Sequence, residues 1–86
     1  MTDREQLDPQ LREAMLATAS LMRHRKRYPG QGLELKTARA EVNRVRRLPE
    51  GNAAYYWDAT AALGQLRRAC RDMGCGNVLA HIPLLL

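Results

Sequence analysis

Residues 52–74, NAAYYWDATAALGQLRRACRDMG, decide the fold. Projected at roughly 100° per residue, as for an α-helix, they carry Tyr55, Ala59, Ala62, Leu63, Leu66, Ala69, Cys70 and Met73 on one face. Trp57, Ala61 and Gly64 lie almost opposite, with Arg68 and Arg71 beside them. A surface helix needs only one apolar stripe, so this one is either sandwiched between other elements or exposes an aromatic patch. Asn52 is expected as the N-cap and Gly74 as the left-handed residue that ends the helix, which places it at about residues 53–73.

Upstream, Pro49, Glu50, Gly51 and Asn52 have turn chemistry. Before them Leu35, Ala38, Val42 and Val45 repeat at three and four residues, which predicts a second helix over about residues 33–48. Lys36, Arg39, Asn43, Arg46 and Arg47 share another sector of that helix, roughly 100° wide. Residues 28–32, YPGQG, are expected to form the turn that precedes it. The first helix is placed at about residues 9–27, with Asp8 as N-cap and Pro9 at the first helical position, where a missing N–H costs nothing. Leu11, Ala14, Met15, Thr18, Leu21 and Met22 form its buried stripe. Thr2, followed three residues later by Glu5, has capping-box spacing and allows a further turn upstream.

Beyond Gly74 the chain becomes an apolar tail over residues 78–86, broken by Pro83. Val78, Leu79, Ile82, Leu84, Leu85 and Leu86 are too apolar for a solvated terminus, so the tail is expected to pack on the domain or on a neighbouring chain. The expected position over the domain is above Trp57. Thirteen Leu, twelve Ala and four Met outweigh four Val and Ile together, and Phe is absent; good helix formers dominate over strand formers. The sequence therefore predicts one all-α domain over residues 1–86, a compact three-helix bundle with short loops and antiparallel neighbours.

The net charge of +5 is unevenly spread. Residues 23–47 hold nine cations against Glu34 and Glu41, a net of +7, whereas residues 1–22 are acidic. Arg23, Arg25, Lys26, Arg27, Lys36, Arg39, Asn43, Arg46 and Arg47 are thus the candidate contacts to a nucleic acid or another acidic partner, since phosphate contacts by such a surface release counterions. A solvated basic face is the plainer alternative. Trp57, Arg68 and Arg71 form the competing candidate, a protein interface, because Trp and Arg are enriched at hot spots. Burial of Trp57 under the tail would remove it from that list.

Cys70 and Cys75 are too few for a disulfide framework, and with His24 and His81 they lack the paired spacing of structural zinc sites. No metal or cofactor is expected. Neither histidine has a partner visible in the sequence, the acids near the N-terminus suit capping, and no phosphate loop follows a strand. The expectation is a small basic binding or regulatory protein without catalysis, cytoplasmic and not membrane-embedded, acting on a nucleic acid or nucleoprotein. The alternative is a protein–protein inhibitor or self-associating subunit, for example a mobile-element-type inhibitor of a nucleic-acid-processing complex. The positive charge argues against mimicry of DNA.

Overall fold

A computed structural model describes residues 2–27 and 29–82. It is an all-α three-helix bundle. Helix α1 spans Asp3–Thr18, α2 Pro29–Arg46 and α3 Tyr55–Asp72. A 3-10 segment, Ala19–Arg27, follows α1, and a 3-10 turn, Gly76–Leu79, follows α3.

The first helix begins a turn and a half earlier than Asp8-Pro9 implied. Thr2 is its N-cap and accepts a hydrogen bond from the Glu5 N–H at 3.2 Å. Pro9 is carried inside the helix on its exposed side. The Thr2 cap outranks the Asp-Pro signal because the earlier start also buries Leu7, one turn ahead of Leu11. Burying a Leu is worth about 1.5–3 kcal/mol, comparable to what a Pro costs within a helix.

The far end of α1 also differs from expectation, and its cause lies in another helix. Helical geometry would send the Ala19 N–H to the Met15 carbonyl. That carbonyl instead accepts from Arg39 Nη1 at 2.9 Å and from the Thr18 hydroxyl at 3.4 Å. The Ala19 N–H turns to the Leu16 carbonyl, one residue closer, and the chain continues as a 3-10 helix. Thr18 is fully buried and also donates to the Ala14 carbonyl at 2.8 Å, the kind of back-bond that bends helices.

Residues 29–32 do not form the expected turn, and Tyr28 lies outside the described residues. Pro29 opens α2, and Gly30, Gln31 and Gly32 make up the rest of its first turn; Pro is preorganised for that position. Leu35, Ala38, Val42 and Val45 are buried as expected. Arg46 pairs with Asp8 and Arg44 with Asp58, so α2 runs antiparallel to both α1 and α3.

The face of α3 expected in the core is buried along its whole length, from Tyr55 to Met73. Its N-cap is Ala54 rather than Asn52. Asn52 acts one step earlier, accepting the Ala54 N–H on its side chain at 2.9 Å and the Tyr55 N–H on its carbonyl at 3.1 Å. At the other end Gly74 has φ +74°. Cys75 N–H bonds to the Cys70 carbonyl at 2.8 Å and Gly74 N–H to the Arg71 carbonyl at 2.9 Å, the paired bonds of a Schellman cap.

That cap redirects the chain onto α1 and α3, where Leu79 and Ile82 are buried and Val78 partly so. The tail therefore packs on its own domain as far as Ile82; residues 83–86, the rest of the expected tail, lie outside the described part. It does not cover Trp57, which is 72% exposed.

Candidate basic interface

Of the nine residues proposed for a nucleic-acid surface, the structure separates an outward set from an inward one. Lys36 is exposed on the outer ridge of α2 and Arg47 just past its end, with Asn43 half-buried between them. Among the described residues no carboxylate lies within ion-pair distance of Lys36 or Arg47. Arg23 and Arg27 are exposed on the 3-10 segment, which packs beside α2. The side chains of Arg25 and Lys26 fall outside the described part.

Arg39 and Arg46 do not belong with the free cations. They stand on the flank of α2 that faces α1. Arg39 donates to the Met15 carbonyl and to the Thr18 hydroxyl, and burial pulls its pKa below the ordinary guanidinium value. Arg46 Nε lies 3.4 Å from Asp8 Oδ1. A cation committed to a neighbouring helix cannot reach a phosphate without giving up that contact, so Arg39 is withdrawn from the interface and Arg46 is shared with Asp8.

One residue that the sequence did not single out joins the end of the ridge. Arg4, from the acidic N-terminal stretch, donates to the Leu48 carbonyl and, at 3.4 Å, to the Pro49 carbonyl. Its guanidinium sits 4.4 Å from the centre of the Tyr55 ring. Arg4, Asp8, Asn43, Arg46 and Arg47 line one recess at this end of the bundle. Tyr55 lines the neighbouring hollow, and its hydroxyl is buried with no hydrogen-bond partner. Burial raises its pKa and Asp8 adds to the rise, while Arg4 and Arg46 oppose it. No local pattern announced Arg4, because it reaches the site only when α1 lies antiparallel to α2.

The α2–α3 side is different in character. Arg44 bridges Glu41 at 2.5 Å and Asp58 at 3.0 Å, which holds the guanidinium more firmly protonated and lowers the Glu41 pKa. Nearby, Trp57 stands out from α3 with Tyr56 edge-on to it at 5.3 Å between ring centres. Arg68 and exposed Leu33 line a hollow of about 370 Å³ further along the same side. Arg71 is exposed, and its stem lies where a Cβ on Gly76 would meet it at 3.0 Å.

The remaining chemistry-bearing groups are scattered. Cys70 is buried, with its thiol pushed up to about 11; burial disfavours the thiolate that a nucleophile or metal ligand needs. His24 is exposed, and His81 lies 3.4 Å from Glu13. Among the described residues no three of His, Cys, Asp and Glu gather into a group that could hold a metal ion. Within the same residues no helix is long and apolar enough to cross a membrane.

Comparisons with protein-family models, with curated proteins and with solved structures found no match for the chain.

Proposed function

We propose that this chain is a binding module rather than a catalyst, and that its partner is a nucleic acid or a nucleoprotein met through the outer ridge of α2. The observation that carries this reading is the row Lys36, Asn43 and Arg47. Its two cations project outward with no carboxylate partner among the described residues. Lys36 lies ten residues before the last residue of α2, about 15 Å along the helix axis, and Arg47 follows directly; a duplex strand presents several phosphates over that span. Arg23 and Arg27 are exposed on the 3-10 segment beside α2, and Arg46, shared with Asp8, lines a recess with Arg47 at the other end.

Fluorescence anisotropy of a labelled duplex against salt concentration tests this directly. Log K should fall linearly with log salt, with a slope of about 0.9 per phosphate contact. Replacing Arg23, Lys36 and Arg47 together with Ala should weaken binding and flatten that slope. A slope unchanged in the triple variant would place the interface elsewhere, and no binding at low salt would end the nucleic-acid reading.

A second reading is favoured by the 72% exposure of Trp57: docking of a protein, or of a second copy of this chain, on the Trp57 side of α3. Trp57→Ala should then leave the melting temperature nearly unchanged while abolishing association measured by ultracentrifugation or pull-down. Association that survives the substitution would reject it.

A further inference from the structure

Resting on the nucleic-acid reading, we infer that the recess between the start of α1 and the end of α2 seats a phosphate group, and that Asp8 is the resident anion the phosphate displaces. Arg4, Arg46 and Arg47 come to this one place from both helices, and Asn43 adds an amide that can donate. Three guanidiniums against one carboxylate leave an excess of positive charge. Arg presents a planar fork of donors suited to phosphate oxygens. Among the described residues Asp8 is the one carboxylate lining the recess, while Arg4 also keeps its bonds to the Leu48 and Pro49 carbonyls. The contact of Asp8 with Arg46 is long, 3.4 Å, and both side chains are about one-third exposed.

On the opposite side of Arg4 the surface turns acidic, with Asp3, Glu5 and Glu50 around a neighbouring hollow. That wall repels phosphate and confines it to the α2 side, in line with Lys36 and the ridge.

The test uses the full chain at low salt with two probes. One is inorganic phosphate, followed by the backbone amide shifts of Asn43 and Arg47. The other is a duplex oligonucleotide with or without 5′-phosphates, followed by anisotropy. Arg47→Ala is expected to weaken both about tenfold, as for loss of a charge-assisted hydrogen bond. Asp8→Asn is expected to strengthen both several-fold. Glu13→Gln removes the same charge from α1 away from the recess and should change neither by more than about twofold, since exposed charges are screened beyond roughly 10 Å. A requirement for the 5′-phosphate would identify a strand end as the source, and indifference to it an internal phosphodiester. Duplex binding that ignores both Arg47→Ala and Asp8→Asn overturns the recess and leaves the proposed function standing. Phosphate binding here without duplex binding overturns the proposed function and leaves the recess as a site for free phosphate. Equal gains from Asp8→Asn and Glu13→Gln, or no binding of either probe, overturn the inference.

Discussion

Removing the Arg39 guanidinium should destabilise the bundle while barely touching a polyanion's affinity, the reverse of what its place in a basic run implies. Arg39→Met is the informative substitution because it keeps an apolar stem against the neighbouring helix. It deletes two hydrogen bonds, to the Met15 carbonyl and the Thr18 hydroxyl. A hydrogen bond from a charged donor is worth about 1.5–3 kcal/mol net. Arg39 is half-buried and the freed Met15 carbonyl can recover the Ala19 N–H, so the net loss is placed near the bottom of that range, at about 2 kcal/mol. For a domain of this size that lowers the melting temperature by about 10 °C. Arg47→Met removes the same charge from an exposed site and should stay within about 0.5 kcal/mol of the parent. Circular dichroism melts of the two variants make the comparison, and backbone chemical shifts of residues 19–22 should move toward α-helical values in Arg39→Met alone. Equal melts for the two variants would refute the reasoning, since Arg39 would then not be holding α1 to α2.

Further outcomes follow from separate parts of the molecule. Gly74→Ala should cost about 1–2 kcal/mol, because φ is +74° and an L-residue is strained there. Gly64→Ala, on the exposed face of α3 with open space around an added Cβ, should stabilise by about 0.5–1 kcal/mol; paired melts check the opposite signs. Ile82→Ala should cost about 2–5 kcal/mol if the tail is docked as described, its side chain being 1% exposed, and a neutral result by denaturant titration would mean the tail is not part of the core. The Cys70 thiol titrates near 9.0 when unfolded and about 11 when folded. Its stabilising share is therefore full below pH 9 and is lost as the pH rises through 11. At pH 8 an alkylating reagent should modify one thiol of the native chain, Cys75, and two in denaturant, as mass spectrometry would count.

Much of the fold was legible because it is written in local periodicity. The buried face of α3 and the seam of α2 follow directly from spacings of three and four, and Gly74 ends its helix for a reason internal to glycine. What the sequence concealed depends on contacts between helices. The α1 helix changes character at Thr18 because Arg39 takes a carbonyl there, a partner more than twenty residues away. Pro and Gly mark both loops and first turns of helices, and only packing decides that Pro29 opens a helix. The candidate site was legible as an excess of charge and not as a geometry. Arg39 had the right residue type and the wrong orientation, Arg46 is shared with Asp8, and Arg4 reaches the recess from an acidic neighbourhood that disguised it.

The route of the tail also bears on the order of assembly. Helices α2 and α3 form a hairpin whose linking ion pair, Arg44 with Asp58, spans 14 residues. Closing the ring from Glu13 to His81 requires a loop about five times as long, which adds about 1.4 kcal/mol of chain entropy. The hairpin is therefore the cheaper nucleus, and the docking of Leu79 and Ile82 belongs to the late, downhill side of the folding barrier. A residue that locks late holds the door rather than building it: Ile82→Ala should accelerate unfolding and leave the folding arm of the chevron almost unmoved.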